Sequence, residues 1–194
     1  MVRNMTRGIS ALEAALLGLL NEEPMSGYAL RKMFMTTPMG HFSDSPGSIY
    51  PALARLGAQG FVQGAVENAR SLRPRKIYRV TPRGLARLEA WLGQPVTRQA
   101  VAGRFDLLLL RFVFMPRTIG LAASGRFLTE LEHETAAYLA DLRAVARAAA
   151  RHMPLAGRLG LRAGIETYAA YLRWARLARR TIAKEQARGT RSRS

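Results

Sequence analysis

The chain has 194 residues, no cysteine and a formal net charge of +17, which excludes a disulfide framework and thiol chemistry and favours a polyanionic partner. With 48% hydrophobic residues it is long enough for one or two small domains. It has no run of about 18 apolar residues to span a bilayer and no apolar leader at its start, so a cytoplasmic protein is expected. Lysine and arginine exceed aspartate and glutamate by 12 minus 6 over residues 1–92 and by 18 minus 7 over residues 93–194, so charge alone does not locate a site.

Ser10-Ala11-Leu12-Glu13 has the spacing of a capping box and opens a first helix. Leu12, Ala15, Leu16, Leu19 and Leu20 give that helix a buried face, and Pro24 ends it. Ser26 or a neighbour starts a second helix through Tyr28, Leu30, Met33 and Phe34, and residues 38–44 form the turn that follows. The third helix is expected from Ser45 as N-cap and Pro46 as first residue, with Gly60 as a left-handed stop. Ile49, Leu53 and Leu56 fall on its core face, while Gly47, Tyr50, Pro51, Ala54 and Arg55 fall on the other. Small residues there let its backbone approach a partner closely. Three short helices with a tight connection fit a helix-turn-helix.

After Gly60 the residues become β-branched or aromatic. Phe61–Val66 and Lys76–Val80 flank a polar link and predict a two-stranded hairpin, a wing. Thr81-Pro82 then caps a fourth helix through Leu85, Leu88, Trp91 and Leu92. Residues 93–103 lack strong periodicity and read as a linker between a domain over 1–92 and a helical domain over 104–187. In the latter, Asp106–Phe114 is an apolar helix stopped by Pro116. Positions 121, 124, 128, 131, 135, 138, 142, 145 and 149 step by three and four along a long helix. The last helix, near Leu159–Ala187, has one apolar line at Leu161, Ile165, Tyr168, Leu172 and Ala175 and another at Tyr171, Trp174, Ala178 and Ile182. Two lines need two neighbours, and a second copy of the chain is the economical second one. Residues 188–194 read as a disordered basic tail.

Four separated stretches carry a resemblance: Leu17-Gly18-Leu19-Leu20, Pro24-Met25-Ser26-Gly27-Tyr28-Ala29-Leu30, residues 45–62 from Ser45-Pro46-Gly47-Ser48-Ile49-Tyr50 onward, and Pro74-Arg75-Lys76-Ile77-Tyr78-Arg79-Val80-Thr81-Pro82-Arg83-Gly84. In this order they resemble the PadR family of bacterial transcriptional regulators, over about residues 12–92. More loosely, residues 105–109 and 162–168 resemble the C-terminal helical region of its larger subgroup. The resemblance implies a mainly α protein: an N-terminal winged helix-turn-helix with a two-stranded wing, plus a C-terminal all-α dimerisation region. It implies a homodimeric repressor on palindromic double-stranded DNA.

On that reading the third helix enters the major groove. Gly47 and Ser48 offer amides and a hydroxyl to a phosphate, Tyr50 takes the position of a DNA-contacting tyrosine in the family, Pro51 lies on the same face, and Arg55 can reach a base or phosphate. The plain alternatives are a ring packed between the third helix and the wing for Tyr50, and a solvated side chain for Arg55. Arg70, Arg73, Arg75 and Lys76 make the wing basic, suited to the minor groove or its phosphates. Tyr171 and Trp174 are candidates for a pocket taking a planar aromatic effector, as some family members do, with core packing as the alternative. His41, His133 and His152 have no metal-ligand spacing, and neither a phosphate loop nor a Ser-His-Asp set stands out, so no enzyme, metal or cofactor is expected. The competing function is a winged-helix module for protein assembly that does not read DNA.

Overall fold

A computed structural model describes residues 8–43, 45–67, 75–149 and 152–191. The chain divides between Gln94 and Pro95 into two compact units. In the first unit the capping box forms as the sequence predicts. The Glu13 N–H donates to Ser10 Oγ at 3.2 Å and the Ser10 N–H to Glu13 Oε2 at 3.0 Å, opening α1 (Ala11–Glu22). Burial of α1 goes beyond one face: Leu12 and every residue from Ala14 to Leu20 are buried, because α3, α4, β3 and the turn after α2 all pack around it.

Met25–Ser26 forms β1, and Ser26 then caps α2 (Gly27–Thr36) by accepting from the Ala29 N–H at 3.1 Å. A 3-10 turn, Pro38–Phe42, leads towards the third helix. That helix begins differently from expectation. Residues Pro46–Ser48 wind as a second 3-10 turn, and α3 proper is Ile49–Ala58. Ser45 makes no side-chain cap; its carbonyl instead accepts from the Ser48 N–H at 3.0 Å and Ser48 Oγ at 2.7 Å. The tighter i to i+3 winding closes on that carbonyl, so the cap is made backwards by Ser48. Pro51, third in α3, lies where amides lack intrahelical partners, so the helix tolerates it.

Gly60 ends α3 as predicted, with φ at +71°. The Gly60 N–H donates to the Gly57 carbonyl and the Phe61 N–H to the Leu56 carbonyl, both at 2.9 Å, which is a Schellman close. The hairpin follows as β2 (Val62–Glu67) and β3 (Arg75–Val80), in register from Val62 opposite Val80 to Glu67 opposite Arg75. The sheet has a third strand that the sequence pattern hides: β1 pairs with β3, Met25 opposite Tyr78, giving the order β1-β3-β2. Thr81 caps α4 (Pro82–Leu92), accepting from the Gly84 N–H at 3.0 Å while its hydroxyl donates to the Gly60 carbonyl at 2.7 Å.

The second unit is all-helical. The expected linker is structured in part: α5 (Arg98–Gly103) is capped by Thr97 and buries Val101. Arg98 pairs with Glu134 at 3.1 Å and with Asp141, which fastens α5 to α7. The apolar helix α6 (Phe105–Thr118) runs through Pro116, since buried Phe114 and Met115 hold its last turn in place. Gly120, with φ at +86°, turns the chain into α7 (Gly120–Ala149). The seam of α7 is buried at Ser124, Leu128, Leu131 and Thr135, and exposed by Val145. Helix α8 spans Leu155–Arg191, so residues 188–191, expected in a disordered tail, are helical; Arg188 donates to Glu185 one turn back at 2.9 Å.

The second apolar line of α8 also departs from expectation. Tyr171 stacks on Phe105 at 3.8 Å and Trp174 meets Phe112 edge-on at 5.5 Å, so α6 of the same chain is its neighbour. Arg111 of α6 is buried over the Phe127 ring. Burial draws its guanidinium down to about 10, against the pull of Glu130, so it stays charged at neutral pH.

Candidate nucleic-acid interface

The outer face of α3 is open. Tyr50, Pro51, Ala54 and Arg55 are exposed while Ile49, Ala52, Leu53 and Leu56 are buried, the division that the helical spacing predicts. Tyr50 is 47% exposed. Its ring rests on the first residue of α2, where a β-carbon at Gly27 would fall 2.7 Å from Tyr50 Cε1. The ring thereby lies against backbone on one side, and the residue remains half in solvent.

Gly47 is exposed in the 3-10 turn. The Ser48 hydroxyl is engaged locally, donating to Ser45 or sharing a proton with Ser43 Oγ at 2.8 Å, so it is less available to a phosphate than the sequence suggests. Arg55 is tied to α1, its Nε donating to Glu13 Oε1 at 3.1 Å. Burial would raise the Glu13 carboxyl, but the Ser10 backbone N–H and the Arg55 guanidinium together hold it below the usual carboxylate range. The wing residues Arg75 and Lys76 are exposed. Lys76 lays its stem across Gly64, with Cε 2.4 Å from where a β-carbon there would be, and its Nζ sits 5.4 Å from the Tyr78 ring centre. The neighbouring Arg79 pairs with Glu67 at 3.6 Å. Arg70 and Arg73 lie outside the described residues.

In the second unit Tyr171 belongs to an aromatic cluster with Phe105, Tyr138 and Tyr168, and Trp174 pairs separately with Phe112. The Tyr168 hydroxyl points at the Val101 and Ala102 carbonyls, 3.0 Å from each, and burial, helped by Tyr138 and Tyr171, raises its pKa. A half-open cleft of about 330 Å³ lies elsewhere, between α7 and α8, floored by Leu139 and Leu172 and rimmed by Arg143, Arg173 and Arg176. Neither Tyr171 nor Trp174 lines it. Among the described residues no His, Cys, Asp and Glu group could hold a metal ion, and no helix is long and apolar enough to cross a membrane.

Two features of the first unit escaped the sequence reading. Gly27 is needed as a seat for Tyr50, a requirement that only the folded contact reveals. The exposed residues Tyr28, Arg31, Lys32 and Met35 of α2 form one helical stripe, legible in the sequence only as spacing.

Residues 16–90 match the transcriptional regulator PadR-like family. No curated protein matches the chain. Among solved structures, the chain is similar to Bacillus subtilis PadR in complex with operator DNA, at 26% identity over 88% of this chain and 98% of that one, with a TM-score of 0.40. It is also similar to the PadR-like transcriptional regulator BC1756 from Bacillus cereus, at 23% identity over 90% and 99% of the two chains, with a TM-score of 0.39. Bacillus subtilis PadR in complex with p-coumaric acid gives 22% identity over 89% and 96%, with a TM-score of 0.39.

Proposed function

We propose, from the membership of residues 16–90 in the PadR-like family of transcriptional regulators, that this chain is a dimeric, sequence-specific DNA-binding repressor of the cytoplasm and not an enzyme. The observation that carries the reading is the outer face of α3, where exposed Tyr50, Pro51 and Ala54 leave the helix backbone unobstructed. A helix so bared can sit deep in a major groove. Tyr50, seated on Gly27, presents its hydroxyl to the DNA backbone. Gly47 allows close approach of a phosphate, and Ser48 contributes its hydroxyl by giving up its local bonds. Arg75 and Lys76, with Arg70 and Arg73 of the wing, follow the adjacent backbone or minor groove. Arg55 has a structural duty first, through Glu13, and reaches DNA only with the remaining edge of its guanidinium.

Two copies place two α3 helices on half-sites about one helical turn apart, so the operator is palindromic. The apolar surface for pairing is not the second line of α8, whose Tyr171 and Trp174 meet α6 and whose Ile182 is buried beside Gly125 of α7. It is the outer hairpin of α7 and α8, where Val145, Leu155 and Leu159 are exposed. A planar aromatic effector at Tyr171 and Trp174 has to replace Phe105 in its stack. In a Trp91→Phe background, quenching of Trp174 fluorescence by a planar phenolic acid tests that site.

The deciding experiment is binding to duplexes enriched from a random-sequence library, measured from 50 to 200 mM salt. Six or more phosphate contacts predict a loss of about a thousandfold or more over that range and a dyad in the enriched sequences. A flat salt response with no enriched sequence favours the assembly module instead.

A further inference from the structure

The half-open cleft of about 330 Å³ between α7 and α8 owes its character to the residues facing across it. Ala136 and Leu139 of α7 and Ala169 and Leu172 of α8 make its floor, three positions apart on each helix. Both leucines are buried, so the hollow lies over the alanines, whose short side chains leave the space between the helices unfilled. Arg143 follows Leu139 by one turn, and Arg173 and Arg176 follow Leu172, so cations stand on both rims. Arg176 is engaged, its Nε donating to Glu132 Oε1 at 3.0 Å, while Arg179 takes the other oxygen of that carboxylate at 2.8 Å. Arg143 and Arg173 are exposed and take part in no ion pair among the described residues. No acidic residue lines the cleft. An apolar floor thus lies beside two unneutralised guanidiniums, one from each helix.

We propose that this cleft binds an aliphatic carboxylate, its chain on Leu139 and Leu172 and its head group on Arg143 and Arg173. The site lies wholly in the second unit, and its binding does not depend on what α3 reads. The occupant follows from the lining. A guanidinium can donate two parallel hydrogen bonds to a carboxylate, and the volume is at the small end for ligand sites, which suits a single chain. No aromatic side chain lines the cleft, so a planar ring finds nothing to stack on, in contrast to the surroundings of Tyr171. A nucleic acid would use the arginines and leave the floor bare. A second copy of the chain, of net charge +17, brings further cations to a rim that already has an excess.

The test is calorimetric titration of the full chain with octanoate at pH 7.5 and 100 mM salt. Octanoate should bind saturably at one site per chain, and hexanoate about 4- to 15-fold more weakly, having two fewer methylenes to bury. Octanol has the same chain without the charge and should bind at least about tenfold more weakly than octanoate, because it forgoes the charge-assisted bonds. Arg143→Gln and Arg173→Gln should each weaken octanoate by about 3- to 10-fold and leave octanol unchanged, a split that damage to helix packing does not produce. Ala136→Leu fills the floor and should abolish binding of both probes. Circular dichroism checks that each variant is folded. Absence of saturable binding of octanoate overturns the site. So does octanol binding as tightly as octanoate, or affinity for octanoate within twofold of the unaltered protein in both arginine variants. Cinnamate, a planar aryl carboxylate, binding more tightly than octanoate with the same dependence on Arg143 overturns the choice of an aliphatic chain.

Discussion

The ring of Tyr50 occupies the space that a side chain at Gly27 would need, with Cε1 2.7 Å from the position of a β-carbon there. Gly27 opens α2 with an ordinary negative φ, and alanine at such a position lowers the entropy of the unfolded chain, worth about 0.4–1 kcal/mol. The Tyr50 ring is half in solvent and can swing away. Gly27→Ala is therefore expected to keep or raise the unfolding free energy while weakening DNA binding at least several-fold. Urea unfolding and anisotropy on one preparation check both halves, and a variant that loses stability and affinity together contradicts the argument.

Gly84 presents the opposite case. A β-carbon there would lie 2.0 Å from the Phe61 carbonyl oxygen, and backbone cannot swing aside. Gly84→Ala should destabilise the first unit by about 1–3 kcal/mol, the usual cost of overpacking. Thermal unfolding measures it.

Glu13 gives a pH dependence of known sign. Its carboxyl is held below the usual range in the folded unit, so the stability it contributes is present above the ordinary carboxylate value of about 4.3 and is lost as pH falls through the lowered folded value. Glu13→Gln keeps the capping geometry but not the charge. The variant should be less stable than the parent at neutral pH by under about 1 kcal/mol, because Arg55 is more than half exposed to screening solvent. The gap should close below about pH 4. A gap that persists in acid excludes the ion pair as its source.

Leu155 and Leu159 are 63% and 59% exposed, Leu172 only 8%. Glutamate at either of the first two is expected to split a dimer while leaving helix content intact. Leu172→Glu should instead destabilise the second unit, though by less than a fully enclosed carboxylate costs, because Arg143, Arg173 and Arg176 rim the cleft that Leu172 floors. Sedimentation with circular dichroism separates these outcomes. A fragment ending at Gln94 should sediment as a monomer and bind the enriched duplexes at least about a hundredfold more weakly, having lost the avidity of a second reading head. A dimeric fragment of unchanged affinity rules out the C-terminal helices as the pairing device.

Local signals read true where partners are near in the chain. Ser10 with Glu13, Ser26 with Ala29, Thr81 with Gly84 and the stop at Gly60 all involve residues within a few positions, and spacing alone specifies them. One miss is local, the expected Ser45 cap, which gives way to a 3-10 turn closed on its carbonyl by Ser48; the others involve distance. Strand β1 exists because Met25 meets Tyr78, a pairing that two residues cannot announce. Helix α5 forms in an aperiodic stretch because Arg98 finds Glu134 and Asp141. Pro116 fails to stop α6 because Phe114 and Met115 are already fixed in the core. For the site, the exposed face of α3 was legible as periodicity. The seating of Tyr50 on Gly27 and the engagement of Arg55 by Glu13 were not, since each joins α3 to another helix.

The Thr81 hydroxyl donates to the last residue of the α3 close and accepts from the first turn of α4, while the Thr81 N–H reaches the Phe61 carbonyl at 3.0 Å. The end of α3, the root of the wing and the start of α4 are therefore joined at one residue. Amide protons at Gly60, Phe61, Thr81 and Gly84 should exchange with solvent at a common rate, as a single cooperative block. Strain or opening in β2 and β3 then meets this knot before it reaches α3, and the end of α3 is held whatever the hairpin strands do.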